Sequence, residues 1–111
     1  MSGRAYATPP PLPAAPAGLV ATANSSTRVT LTWSENIPSK GLPIQHYTVF
    51  RGTSPATFII LASTSATTFV DNGAAADTGY YYGVEATDTD KDVSSMSASV
   101  QISTPSALRA R

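Results

Sequence analysis

The chain contains no cysteine, a single histidine and few charges: Asp, Glu, Lys and Arg make up 13% of its 111 residues. Without thiols there is neither a disulfide framework nor a thiolate zinc site, and cysteine usage says nothing about the compartment. The lone His46 excludes a His-rich metal centre, and no G-x-S-x-G elbow sets a serine beside it. There is no run of about 18 apolar residues, so neither a transmembrane helix nor membrane insertion is expected. A basic stripe is missing too. Arg4, Arg109 and Arg111 lie in the tails, which leaves four basic against seven acidic residues between Ala17 and Thr104. That mildly acidic balance excludes nucleic acid as a partner, because phosphate contacts need clustered Lys and Arg.

What is present is a 41% hydrophobic content, enough for one compact domain and too much for a disordered chain of this length. Residues 7–18, "ATPPPLPAAPAG", hold five prolines, which remove backbone donors and fix φ, giving a stiff extended connector. The opening "MSGRA" has no apolar h-region and is read as an initiator Met and cloning residues before a segment cut from a longer protein. At the far end, "STPSALRAR" stops any strand at Pro105 and then loses its pattern. The expected organisation is a Pro-rich linker over residues 1–16, a folded domain over 17–104 and a disordered tail over 105–111.

Inside the domain the hydrophobic period is two. "RVTLTW" puts Val29, Leu31 and Trp33 on one face and Thr30 and Thr32 on the other. "HYTVFR" points Tyr47 and Val49 inward and His46, Thr48 and Phe50 outward. "YYYGVEA" alternates Tyr80, Tyr82, Val84 and Ala86 against Tyr81, Gly83 and Glu85, and "SASVQIS" offers Ala98, Val100 and Ile102. Weaker strands at "GLVATA", "FIILAS" and "TTFV" belong near sheet edges. Turn signals separate the runs at Ser25-Ser26, Pro38 to Pro43, Gly52 to Pro55, Asn72-Gly73 and Asp88 to Asp92. Seven short strands with no helical period predict an all-β sandwich of two antiparallel sheets.

At residues 16–34, "PAGLVATANSSTRVTLTWS", the sequence resembles the opening of a fibronectin type III domain; "GLPIQHYTVFRGTS" resembles its third strand and "TTFVDNGAAADTGYYYGVEATDTDKDVSSMSASVQIST" its last three. The resemblance covers residues 16–104 and is most specific at Thr78-Gly79-Tyr80 with Tyr82, Val84 and Ala86. It implies an immunoglobulin-like sandwich in which Tyr80 is a tyrosine corner, its ring buried and its hydroxyl returned to the backbone of the preceding corner. Tyr82, beside Trp33, is then core as well. The style of "PIQHYTVFRGTSPATF" and "VDNG" is similar to the modules that bacteria attach to secreted polysaccharide-degrading enzymes and surface proteins. An extracellular, non-catalytic accessory module is thereby implied, with neighbouring domains of its parent as partners. Ala74, where a leucine usually precedes the corner, and Asp92, where glycine or asparagine is common, depart from the pattern.

The candidate sites are few. Asp88, Asp90 and Asp92 open like a calcium loop, but Val93 and Ser99 stand where such a loop needs glycine and a bidentate glutamate. The stretch reads as a solvated hairpin turn, and neither metal nor cofactor is expected. Arg51-Gly52-Thr53 has Thr for the Asp of an adhesive tripeptide and follows the third strand. Asn24-Ser25-Ser26 is a sequon that matters only in a eukaryotic secretory host. Glu35 and Glu85 are the only glutamates, one on a loop and one on a strand face, with no sign that they converge as glycosidase carboxylates; no catalytic residue is expected. That leaves an outward face of His46, Phe50, Tyr81 and Glu85 as a contact surface, suited to polysaccharide or a cell-surface protein. Its alternative use is cross-strand pairing for stability, or a dock for Tyr6 and Leu12 of the linker.

Overall fold

The computed structural model describes residues 13–34 and 43–106. The Pro-rich stretch before residue 13, the turn signal from Pro38 to Gly41 with Glu35, and the tail from residue 107 lie outside the described residues. Seven strands run through the rest: β1 (Val20–Ser25), β2 (Arg28–Thr32), β3 (Ile44–Ser54), β4 (Thr57–Thr64), β5 (Thr68–Asp71), β6 (Gly79–Asp88) and β7 (Val100–Ser103). They form two antiparallel sheets, ordered β1-β2-β5 and β4-β3-β6-β7. The three weak strands of the sequence, now β1, β4 and β5, all lie at sheet edges, where one side of the backbone has no ladder partner among the described residues.

The two inner faces meet in a core of Val29, Leu31 and Trp33 from β2 and the residue after it, Tyr47 and Val49 from β3, Ala74 from the loop after β5, and Tyr80, Tyr82, Val84 and Ala86 from β6. Leu19, Ala21, Ile44, Leu61, Phe69, Val100 and Ile102 pack around its margin. Trp33 makes an edge-on contact with Tyr47, centroids 5.5 Å apart, whereas Tyr82 is paired in register with Arg51, four residues further along β3. Short hydroxyl side chains close the turns: Ser25 Oγ accepts the Thr27 N–H, Ser54 Oγ the Ala56 N–H and Thr64 Oγ1 the Ala66 N–H.

One strand expectation fails in part. Ala98 is exposed, and β7 begins only at Val100. The preceding segment runs beside β6 without being a regular strand: Ser94 and Ser97, three residues apart, donate their N–H groups to Ala86 O and Val84 O. Their Oγ atoms accept the N–H groups of Ala86 and Val84 in return. Two hydroxyls thus stand in for strand carbonyls, and the odd spacing turns Ser97 inward and Ala98 out.

Gly52 sits in β3 where the pairing with β4 slips between Arg51 and Ser54. A Cβ there would lie 1.9 Å from the Thr57 carbonyl oxygen, a backbone atom that cannot swing aside. Gly52→Ala is therefore expected to cost about 1–3 kcal/mol by overpacking, read as a fall in the urea midpoint with an unchanged m-value.

Candidate functional site

β3 and β6 bring the outward residues together. Register pairs Thr48 with Glu85, Phe50 with Gly83 and Gly52 with Tyr81, so Phe50 stands diagonal to both Tyr81 and Glu85. His46 pairs with Thr87 at the start of the ladder, beyond a bulge at Gln45. All four candidates are half-buried rather than fully open. The reason is visible at Gly83, whose missing side chain is replaced from above: a Cβ there would come within 2.4 Å of Met96 Sδ. The chain after β6 folds Met96 back over the sheet at Gly83, in the row of Phe50. The face is a ridge of Phe50, Met96 and Tyr81 bordered by Glu85 and His46, with a thioether where a flat platform would need open space.

The inner face of the same strands carries the strongest electrostatic feature among the described residues. Arg51 follows Tyr47 and Val49 in period two and so points inward, where its Nη1 meets Asp71 Oδ2 at 2.8 Å. Tyr82 donates its hydroxyl to the same oxygen at 2.6 Å, and the Gly73 N–H donates to Asp71 Oδ1 at 2.9 Å. The guanidinium also lies 5.1 Å from the centre of the Tyr80 ring. Burial alone would raise the Asp71 carboxyl, but the Tyr82 hydroxyl, the Gly73 N–H and the Arg51 charge together hold it below the ordinary carboxylate range. Burial, and then donation to Asp71, push the Tyr82 phenol up. Arg51, with its side chain only 20% exposed, spends its charge inside the sandwich, which leaves the Arg-Gly-Thr tripeptide no free cation to present. Beside it lies a hollow of about 290 Å³ lined by Arg51, Gly52, Thr53, Thr57, Ile59 and Tyr80.

Tyr80 accepts the Ala75 N–H on its hydroxyl at 2.7 Å. The corner is also clamped by Thr104, whose Oγ1 accepts the Thr78 N–H and donates to Ala75 O, while Asp77, at φ 54°, donates its N–H to Pro105 O. The acidic turn is not solvated at its base: Asp88 is 1% exposed, and its Oδ1 accepts the N–H groups of Asp90 and Asp92. Its carboxylate faces its own loop's amides, and Lys91, at φ 71°, takes the left-handed position rather than Asp92.

Comparison with protein-family models finds no match. Among solved structures, an Fn3-like protein from Clostridium thermocellum is 30% identical and superposes with a TM-score of 0.74, covering 86% of this chain and 96% of that one. The chain belongs to the fibronectin type III family. The twitchin kinase region of C. elegans shares the fold at a TM-score of 0.80 and 18% identity, covering 91% of this chain and 18% of that one. Curated relatives include exoglucanase B of Cellulomonas fimi, 36% identical over 92 residues, and chitinase A1 of Niallia circulans, 35% identical over 92 residues; both matches cover 83% of this chain. The fibronectin type III chain spans 8% of the first enzyme and 12% of the second. Modules of this kind accompany bacterial glycoside hydrolases.

Sequence reasoning passed over the Arg51–Asp71–Tyr82 cluster. Arg51 enters that reasoning only through the Arg-Gly-Thr tripeptide and Asp71 only within the quoted "VDNG", although the alternation Tyr47, Val49, Arg51 and Phe69, Asp71 places both on inner faces. Two opposite charges at inward positions were the signal.

Proposed function

We propose that this fibronectin type III domain is a non-catalytic accessory module of a larger extracellular bacterial protein, acting as a spacer and weak contact domain beside its neighbours. The observation that carries the reading is the proportion of the matches: nearly the whole domain aligns to a small fraction of two polysaccharide-degrading enzymes. The side chains favour it. The strongest ionic interaction is internal, Asp88 serves its own turn, and the core spans the width of a single sandwich, which suits a part that must hold its shape between others. Residues 17–104 are the module in this reading, with the Pro-rich residues before it as a stiff connector.

The alternative is a carbohydrate-binding or adhesive module using His46, Phe50, Tyr81 and Glu85, and one titration separates the two. Backbone-resolved NMR of the chain with soluble chitin-, cellulose- and xylan-type oligosaccharides is expected to show no saturable shifts at millimolar ligand, the range in which a contact of about 4 kcal/mol would be seen. Saturable shifts confined to Phe50, Tyr81, Glu85 and Met96, lost in Phe50→Ala, would replace the spacer reading with the carbohydrate-binding one.

A further inference from the structure

We propose that Asn72-Gly73 is a self-modification site, at which the Gly73 backbone nitrogen closes on the Asn72 side-chain amide and expels ammonia, assisted by Arg28 and Asp71. This is the one Asn-Gly pair in the sequence, and its turn signal closes no hairpin, because β5 and β6 belong to different sheets. Neither backbone nor packing calls for glycine here. Among the described residues the only glycine with a left-handed φ is Gly18, and a Cβ on Gly73 would meet nothing nearer than Asp71 Oδ1 at 3.6 Å, an ordinary contact. What glycine does supply is an unshielded nitrogen, next to an asparagine that is exposed as it is.

Two charged side chains already address the reacting atoms. Arg28, at the start of β2, donates its Nε–H to Asn72 Oδ1 at 3.1 Å, and Asp71 accepts the Gly73 N–H on Oδ1 at 2.9 Å. Attack on Asn72 Cγ drives an electron pair onto Oδ1, where the Arg28 donor stands ready for the developing oxyanion. The proton that must leave Gly73 N points at a carboxylate that is ionised at neutral pH and within reach for a general base. That hydrogen bond lies in the peptide plane, so it leaves open the π lobe of the nitrogen from which attack comes. The N–Cγ bond forms, the Cγ–Nδ2 bond breaks, and the Gly73 proton departs with Nδ2 as ammonia, leaving a cyclic succinimide. Water then opens the ring at either carbonyl to give aspartate or isoaspartate at position 72. Aspartate sets a carboxylate opposite Arg28; isoaspartate routes the main chain through its Cβ and draws the Gly73 N–H away from Asp71, cutting the loop's tie to the Arg51 and Tyr82 cluster.

Incubation of the full chain at neutral pH, sampled by peptide mapping with mass spectrometry and by the NMR signals of the Asn72 side-chain amide, tests this. Amide-to-acid conversion is expected at Asn72, with both aspartate and isoaspartate as products, well before any at Asn24, whose Oδ1 accepts the Thr30 hydroxyl. The folded chain should convert about tenfold faster than the same chain in guanidinium chloride, where only the local sequence acts. Arg28→Leu, at an exposed position that leaves the core intact, should slow the folded chain about tenfold and leave the denatured one unchanged. Asp71→Asn should slow it as well, although a loosened fold by itself would speed the reaction. A folded chain that converts no faster than the denatured one overturns the inference; so does an unchanged rate in Arg28→Leu, a faster one in Asp71→Asn, or conversion that maps elsewhere.

Discussion

Asp71→Asn lowers the stability of the domain by about 3 kcal/mol at neutral pH, the lower end of the cost of removing one partner from a buried ion pair, because Arg51 keeps some access to water. For a domain of this size the melting temperature should fall by roughly 10–20 °C. Asparagine keeps the shape and can still accept the Gly73 N–H, so the loss isolates the charge that the Arg51 guanidinium and the Tyr82 hydroxyl both address. The pH dependence has a definite sign. Asp71 is held below its unfolded value of about 3.9. Its contribution is therefore complete above that pH and disappears as pH falls through the lower folded pKa. Chemical denaturation of both proteins from pH 7 to pH 2 should show a gap that is constant at first and then closes on the acid side. A gap that persists unchanged at pH 2 would mean that shape, not charge, is what Asp71 supplies. On the alkaline side, Tyr82 is raised above its ordinary value, so its contribution is complete below about pH 10 and is lost above it, as the unfolded phenol ionises first.

The double variant Ser94→Ala, Ser97→Ala costs about 2–6 kcal/mol, more than any surface serine pair would. Each hydroxyl is the acceptor of a buried β6 amide, Ala86 N–H at 2.9 Å and Val84 N–H at 3.0 Å, and an orphaned buried donor costs about 1–3 kcal/mol. Hydrogen exchange should show the amides of residues 84 and 86 losing protection ahead of the rest of β6. Ser95→Ala is the control: Ser95 is exposed and takes part only through its backbone oxygen, so its change should stay within about 0.5 kcal/mol. Equal effects of the control and the double variant would show that main-chain pairing alone holds the segment to β6.

These two cases mark how the sequence is to be read. Period-two alternation placed Val29, Leu31, Tyr47, Val49, Tyr82, Val84 and Ala86 on the inner faces without any knowledge of the partner sheet, because a strand turns successive side chains to opposite sides. The same alternation failed at Ala98, where the spacing of Ser94 and Ser97 is three and hydroxyls replace carbonyls. It holds at Arg51 and Asp71, which continue the inner faces of β3 and β5 as charged residues. Each looked like a surface residue by type, and only their joint position on facing inner surfaces gives either a partner.

Composition and alternation by themselves determined that the described chain is one all-β sandwich with β1, β4 and β5 at the edges, and Thr78-Gly79-Tyr80 with Tyr82, Val84 and Ala86 pointed to its family. These are local properties, set by which side of a strand each residue occupies. Only the tertiary structure decided that Asp71 holds Arg51 and Tyr82, that Met96 fills the space above Gly83, and that Ser94 and Ser97 cap the β6 amides. Each of these depends on which strands become neighbours and in what register, and a one-residue slip would have sent the same side chains to the other face.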